Sequence, residues 1–98
     1  MSAGADSSGR PKVVIYATGW CGYCERARQI FRRRGVAFDE VDVESSSDAR
    51  REMHARSGSR SVPQIFIGER HVGGSDDLRA LDASGELDAL LGVGSPKT

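Results

Sequence analysis

The only two cysteines of the chain lie in one short motif, WCGYC at residues 20–24, directly after the apolar run VVIY at residues 13–16. The run is typical of a buried strand, and the residues after the motif have helical periodicity. The motif is therefore predicted to join a strand to a helix N-terminus, where backbone N–H groups favour the thiolate of Cys21. Because positions three apart share one helix face, the sulfur of Cys24 can come within bonding reach. This arrangement suits a disulfide that forms and breaks repeatedly.

Two other interpretations of the cysteine pair remain open. A purely structural disulfide would close a four-residue loop, which the chain-entropy model credits with only about 2 kcal/mol. A structural zinc site needs about four ligands at recognisable spacing. The other candidate ligands, His54 and His71, do not form a close pair. Redox or thiol chemistry is the favoured interpretation.

Size and charge limit the remaining possibilities. The chain has 98 residues, which is enough for one small domain. Its 14 basic and 14 acidic residues cancel, so no overall field favours nucleic acid or a membrane as partner. No apolar run approaches the roughly 18 residues of a membrane span. Residues 1–10 have no hydrophobic stretch typical of a secretory signal, so we expect a cytoplasmic protein, in which a CxxC motif is more often catalytic than structural.

The pattern of apolar and turn residues predicts four strands and four helices in one domain, residues 12–92, between a disordered leader at 1–11 and a flexible tail at 93–98. The predicted elements are a strand at 12–17, a helix at 23–34, a strand at 37–43, a helix at 48–56, strands at 64–67 and 70–72, a helix capped by Ser75, and a last helix with Leu87, Leu90 and Leu91. This order predicts an α/β fold, a mixed four-stranded sheet with helices on both faces.

With these motifs in place, the chain resembles a glutaredoxin, a small thioredoxin-fold protein that works with glutathione. The matching motifs, in the family's order, are CGYC at 21–24, SVPQIFI at 61–67, GGSDD at 73–77 and the Leu-rich terminal helix. The likeness spans about Lys12 to Leu91, and the motifs are highly specific in combination. It implies a thioredoxin-like fold and a glutathione-dependent enzyme that reduces protein–glutathione mixed disulfides and protein disulfides.

The resemblance also implies roles for individual residues. Cys21 would be the nucleophile and Cys24 the resolving thiol. Pro63 would be the family's cis-proline, and the extended residue before it would offer its backbone to glutathione as a strand edge does. The glutathione contacts implied in this way are Tyr23, Arg60, Val62, Pro63, Gly74, Ser75 and Asp76. Other roles remain open: Asp76 and Asp77 suit the first turn of any helix, Arg60 suits a solvated surface, and Tyr23 suits a cover over the thiols.

Two departures from the family pattern keep further functions open. Gly22 stands where many members carry proline, and some members without that proline hold a [2Fe–2S] cluster between two subunits. In such a homodimer Cys21 and one glutathione from each copy would ligate the metal. Thr18 stands where many members carry lysine, so we expect weaker stabilisation of the thiolate. Thr18 mildly favours thioredoxin reductase as the reductant, whereas the GSDD segment at 74–77 favours glutathione. Without a cluster, the protein is expected to be a monomer.

Overall fold

The protein was analysed as a computed structural model that describes residues 11–19 and 21–92. The predicted leader, apart from Pro11, and the predicted tail lie outside the described residues, so both stay predictions. No helix in the described part of the chain is long and apolar enough to cross a membrane.

Every strand and helix predicted for the domain is present. The strands are β1 (Val13–Ala17), β2 (Asp39–Asp42), β3 (Gln64–Ile67) and β4 (Arg70–Gly73), and the helices are α1 (Gly22–Arg33), α2 (Ser47–Ser57), α3 (Ser75–Ser84) and α4 (Glu86–Leu91). The largest difference is in β2, which was expected to begin at Ala37. Its pairing with β1 starts only where Asp39 lies opposite Val14, so the two preceding residues stay outside the sheet.

The four strands form one mixed sheet in the order β2-β1-β3-β4. Strands β1 and β2 are parallel, and α1 is the connection that two parallel neighbours require. Strand β3 is antiparallel to both β1 and β4. The predicted mixed sheet is confirmed.

Each face of the sheet covers its own apolar core, as the alternation of side chains along a strand requires. In β1, Ile15 and Ala17 face α1, α3 and α4, whereas Tyr16 faces α2. The larger core comprises Val13, Ile15, Ala17, Cys24, Ala27, Ile30, Phe31, Ile65, Ile67, Leu78, Leu87 and Leu91. The smaller core on the α2 face comprises Tyr16, Val43, Met53 and Phe66. The predicted helices on both faces are therefore confirmed.

Strand register brings three loop segments to one edge of the sheet. The carboxyl end of β1 leads into the cysteine motif, and Tyr16 of β1 lies opposite Gln64, the first residue of β3. Pro63 therefore lies beside that end of β1. Gly73, the last residue of β4, lies opposite Ile65, which places the start of α3 at the same edge.

Candidate active site

Cys21 is the N-cap residue of α1. Its backbone is extended, with φ −130° and ψ 117°, and its Sγ accepts a hydrogen bond from the backbone N–H of Cys24 at 3.3 Å. The side chain is half-buried, and it packs against the edge of the larger core. The predicted position of the first sulfur at a helix N-terminus is therefore the observed one.

The surroundings of Cys21 favour its thiolate. Burial alone would raise the pKa of the thiol, but the Cys24 thiol and the backbone N–H groups of Cys24 and Tyr23 donate to it, and the charge of Arg28 attracts it. The net effect is a pKa below the ordinary value of a cysteine. A thiolate is the nucleophilic form of cysteine, so Cys21 is chemically prepared to attack a disulfide.

Cys24 has the opposite character. Its side chain is 0% exposed, and burial, the hydrogen bond with Cys21 and the charge on Cys21 together raise the pKa of Cys24 to about 11. At neutral pH it is therefore a thiol that no external molecule can reach. Both cysteines are in the free form. Although they are separated by only one turn of helix, they differ in exposure and in pKa.

Arg28 holds the loop before the cysteine motif against α1. This residue is only 7% exposed, and its guanidinium donates to the backbone carbonyl of Thr18 at 3.1 Å and to both carboxylate oxygens of Glu40 at 2.9 and 2.5 Å. It also pairs with Glu25 at 3.1 Å. The hydrogen bond from Arg28 lowers the pKa of Glu40, and the ion pairs raise that of the guanidinium.

The Arg28 contacts modify the expectation for Thr18. The thiolate was expected to be less stabilised because threonine stands where many members carry lysine. Arg28 instead donates to the Thr18 carbonyl. Its positive charge contributes to the lowered pKa of Cys21 and partly opposes the rise in the pKa of Cys24. A cation therefore acts on the thiols from within α1 rather than from the preceding loop.

A cavity of about 440 Å³ lies at the edge of the sheet where the three loop segments meet. Its lining comprises Tyr23, Ser59, Ser61, Val62, Pro63, Gln64, His71, Gly73, Gly74, Ser75, Asp76 and Asp77. Six of the seven residues expected to contact glutathione are brought together here, all except Arg60. Tyr23 stands beside the thiols with 55% of its side chain exposed.

The Val62–Pro63 peptide bond is cis, as the resemblance implies. Pro63 is buried and Val62 is half-buried, so this segment is held in place by packing against both cores. The Pro63 carbonyl oxygen lies close to Gly74, 3.7 Å from the position that a Cβ there would take. The cis-proline segment and the start of α3 therefore form adjoining walls of the cavity.

The start of α3 is arranged differently from the expectation. Gly74, not Ser75, is the N-cap, and its N–H donates to the Asp77 carboxylate at 3.0 Å. Ser75 is instead the first helical residue and is 4% exposed. Both Asp76 and Asp77 are exposed and line the cavity, but Asp77 is engaged in capping.

Glycine is required at position 73. Its φ of +116° lies in a region that L-residues rarely adopt, and a Cβ there would collide with the Asp77 carboxylate. The turn from β4 into α3 thus depends on this one residue.

Sequence reasoning missed a chain of hydrogen-bonded polar side chains in the wall of the cavity. His71 had no assigned role, yet its Nε2 lies 2.7 Å from Oε1 of Gln64, whose Nε2 donates to the Ser61 carbonyl at 3.0 Å. Gln64 is 4% exposed, and its amide nitrogen is the donor to Ser61, so His71 Nε2 is the donor to its oxygen. Only the polar residue directly after Pro63, at the start of an apolar strand, could have pointed to this chain.

The described residues include no group of three or more His, Cys, Asp or Glu side chains that could hold a metal ion. Cys21 is exposed enough to be one ligand, whereas Cys24 is buried. A [2Fe–2S] cluster would therefore need its remaining ligands from outside one chain. A single chain therefore presents an accessible thiolate, Cys21, near the cavity, and a second thiol, Cys24, buried behind it.

Comparison with known proteins finds relatives of this chain in one family. The family model for glutaredoxin matches residues 13–72. A glutaredoxin from Pseudomonas aeruginosa is 54% identical over 81 residues, which are 83% of this chain and 96% of that protein. Glutaredoxin 3 of Escherichia coli is 49% identical over 79 residues, covering 81% of this chain and 95% of that protein.

Solved structures of glutaredoxins have the same fold. The solution structure of a glutaredoxin from Brucella melitensis superposes with a TM-score of 0.74 at 48% identity, covering 86% of this chain and 91% of that one. The crystal structure of a buckwheat glutaredoxin–glutathione complex superposes with a TM-score of 0.75 at 29% identity, covering 82% and 76%. The sheet and its flanking helices are those of a thioredoxin-like fold.

Proposed function

The chain belongs to the glutaredoxin family of thiol–disulfide oxidoreductases, and on that premise we propose that it uses glutathione to reduce protein–glutathione mixed disulfides and protein disulfides. The observation that carries the proposal is the inequality of the two thiols. Cys21 is accessible with a lowered pKa, and Cys24 is buried with a pKa of about 11. Tyr23, which stands between the two cysteines in the chain, lines the 440 Å³ cavity.

Reduction of a glutathionylated protein requires only Cys21. Its thiolate attacks the glutathione sulfur of the mixed disulfide, the protein leaves as a thiolate, and Cys21 carries glutathione through a new S–S bond. A second glutathione then attacks the glutathione sulfur, which releases oxidised glutathione and regenerates the Cys21 thiolate. Low thiol pKa helps here because Cys21 is the leaving group of the second step.

Reduction of a protein disulfide requires both thiols. Cys21 first forms a mixed disulfide with the substrate, and Cys24 then attacks Cys21, releasing the substrate thiolate and forming the 21–24 disulfide. Formation of the first bond removes the negative charge of Cys21, which is one cause of the raised pKa of Cys24. Cys24 therefore ionises more easily once Cys21 has reacted.

The cavity has groups that suit the peptide backbone and the γ-glutamyl end of glutathione. Val62 presents its backbone in the manner of a strand edge, which suits the extended peptide. Backbone N–H groups at the start of α3, around Ser75, suit the γ-glutamyl carboxylate, and the Asp76 carboxylate suits the ammonium group beside it. Tyr23 offers an exposed ring that can pack on the ligand. The solved buckwheat relative is a complex with glutathione, which supports this assignment.

The deciding experiment is turnover of a glutathionylated peptide with purified protein. One assay couples the reaction to glutathione and glutathione reductase, and a parallel assay couples it to thioredoxin reductase. We expect turnover only with glutathione. Turnover only with thioredoxin reductase would keep the fold and the nucleophile but overturn the choice of reductant.

Variants of the two cysteines test the division of labour. Cys21→Ser should lose all turnover, because the hydroxyl is not ionised at neutral pH. Cys24→Ser should keep reduction of the glutathionylated peptide and lose reduction of an intramolecular protein disulfide. Full activity of Cys21→Ser would show that the wrong residue has been named as nucleophile.

Cluster binding and cellular location remain further proposals. In a homodimer, Cys21 of each copy and one glutathione per copy would ligate a [2Fe–2S] cluster. Such a dimer would act as a cluster carrier or as a sensor. Gly22 leaves open space beside Cys21, since a Cβ at this position would meet no atom within 4 Å. A colourless monomer after anaerobic reconstitution with glutathione would exclude this function.

Thiol turnover also suits the reducing cytoplasm that we propose as the location.

A further inference from the structure

A second cavity of about 590 Å³ lies along the outer face of α2. Ser47, Arg50, Arg51 and His54 follow one another at helical spacing, and Arg60 approaches from the loop after the helix. Ala55 completes the lining. We call this cavity the basic groove, since its lining contains three arginines and a histidine but no carboxylate.

The carboxylates near the basic groove offset only part of its charge. Asp48 pairs with Arg51 at the surface, where the two side chains are 86% and 74% exposed, and it offsets one of the three arginine charges. Glu52 points to the opposite face of α2, where it accepts a hydrogen bond from Tyr16 at 2.5 Å. Arg50 donates to the uncharged carbonyl of Val43 at 2.9 and 3.1 Å, so its positive charge has no carboxylate partner in the described chain.

The basic groove adjoins the active-site cavity through a single loop. Ser59 and Ser61 line the active-site cavity, whereas Arg60 between them lines the basic groove. Adjacent Cα atoms are about 3.8 Å apart, so the two cavities are separated by the thickness of one chain. The Ser59 N–H donates to the Ser57 hydroxyl at 3.0 Å, and the Ser61 N–H donates to the Ser59 hydroxyl at 3.1 Å. The Ser59 and Ser61 hydroxyls also share a hydrogen bond at 2.9 Å, so the loop is held in its shape.

We propose that the basic groove binds an acidic segment of the protein substrate whose disulfide is attacked by Cys21. This inference rests on the proposed function, because the substrate's sulfur must enter the active-site cavity while the rest of its chain lies on the neighbouring surface. The whole chain is electrically neutral, so the attraction is local to this face. The groove therefore discriminates among protein substrates without affecting the reaction at the thiol itself.

The charges of the basic groove are expected to act mainly on the rate at which an acidic substrate associates with the protein. Charges at the rim of a contact raise the rate of encounter and lose influence as salt screens them. Two or three solvated pairs between the groove and an acidic segment would improve kcat/KM by about three- to tenfold at low salt. A small disulfide substrate without acidic residues would gain nothing.

The kinetic test compares two glutathionylated peptides that differ only in their flanking residues. One carries aspartate and glutamate, and its partner carries asparagine and glutamine. We expect the native protein to prefer the acidic peptide by about three- to tenfold in kcat/KM, and the Arg51→Glu/His54→Gln variant to lose the preference. The preference should also fall at high salt, and turnover of a small glutathione mixed disulfide should not change.

Arg70→Glu is the matched control for Arg51→Glu. It makes the same change in net charge on an exposed residue, but Arg70 pairs with Ile67 at the far end of the sheet from Pro63. This control variant should keep the native preference. Equal loss in both variants would show an effect of net charge alone and would overturn the proposal.

A binding measurement separates this inference from the proposed function. A fluorescent acidic peptide without cysteine is titrated into the Cys21→Ser protein, and its anisotropy reports binding without any turnover. We expect binding that Arg51→Glu/His54→Gln weakens by about three- to tenfold. No binding overturns the groove proposal even if glutathione turnover is normal, whereas binding without turnover overturns only the proposed function. A single-stranded oligonucleotide is also tested as a competitor of the fluorescent peptide. If it displaces that peptide more effectively than an unlabelled peptide of equal charge does, the groove is assigned to nucleic acid and the proposal is overturned.

Discussion

At the scale of single residues, the two cysteine thiols have pKa values shifted in opposite directions. Cys21 caps α1 and accepts hydrogen bonds, so the pKa of its thiol falls. Cys24, three positions later, is buried in the larger core and its pKa rises to about 11. The difference follows from solvent access and hydrogen-bond direction, since both residues feel the same Arg28 charge. The proposed roles of nucleophile for Cys21 and resolving thiol for Cys24 therefore depend on how deeply each side chain is buried.

The first expectation at this scale concerns the pH dependence of Cys21. The rate of Cys21 alkylation by iodoacetamide should be high above its pKa and should fall as pH drops through that pKa, which lies below the ordinary thiol value of about 8.5. Cys24→Ala removes the thiol that donates to Cys21, so its inflection should move to higher pH. Cys24→Ser retains a donor and serves as the control; equal inflections in both variants would contradict this role of Cys24.

At the scale of elements, the position of the nucleophile depends on how α1 is joined to its neighbours. Arg28 connects α1 to β2 through Glu40 and to the loop after β1 through the Thr18 carbonyl. A lysine could not make these contacts at once, because a guanidinium presents several donors in a fixed plane and an ammonium does not. One buried side chain therefore sets both the geometry of the loop and part of the charge that the thiols feel.

Replacement of Arg28 by glutamine should destabilise the fold and weaken the thiolate together. The free energy of unfolding in urea should fall by about 1–3 kcal/mol, less than for a fully buried ion pair because Glu40 keeps contact with solvent. The alkylation inflection of Cys21 should move to higher pH, because a charge that lowers its pKa is lost. Arg32→Gln is the control, since Arg32 pairs with Glu25 on the exposed face of α1; an equal loss there would contradict the role of Arg28.

The stability difference should itself depend on pH. Because Arg28 lowers the pKa of Glu40 in the folded state, the pair contributes stability above the unfolded value of about 4.3 and loses it as pH falls through the lower folded pKa. The gap in unfolding free energy between native protein and Arg28→Gln should therefore be widest near neutral pH and narrow in acid.

At the scale of the whole molecule, the sheet separates two cores, and the smaller core reaches the wall of the active-site cavity. On the α2 face, Tyr16 donates to Glu52 at 2.5 Å and accepts from Arg56 at 2.7 Å. Arg56 lies over the Phe66 ring at 4.1 Å, and that ring stacks on His71. His71 then contacts Gln64 in the wall of the active-site cavity. The smaller core is thus continuous with the wall of the site.

Substitutions on opposite faces of the sheet should act independently. Ile30→Val in the larger core should cost about 0.5–1.5 kcal/mol of unfolding free energy, and Tyr16→Phe on the α2 face should cost about 1–2 kcal/mol because Glu52 and Arg56 lose a partner. The double variant should equal the sum to within about 0.5 kcal/mol. A large coupling energy in urea unfolding would show that the two cores do not behave as separate units.

Local sequence signals were sufficient to predict the helices and strands, the fold and the family. Periodicity located the helices and strands, because burial of one face imposes its period on the residues themselves. The CxxC spacing after a strand identified the reactive pair, and the later motifs identified the family. Even the hairpin between β3 and β4 was predictable from two residues, Gly68 and Glu69.

Only the tertiary structure decided how distant residues meet. It placed Arg28 under the Thr18 carbonyl, connected His71 to Gln64, and directed Arg60 toward the basic groove rather than the active-site cavity. These contacts join residues that are far apart in the chain, or depend on which way a loop side chain turns, and neither periodicity nor a motif encodes such information. The sequence by itself determined the family and the position of the two thiols proposed to react. Packing determined which side chains contact these thiols and which surface lies beside them.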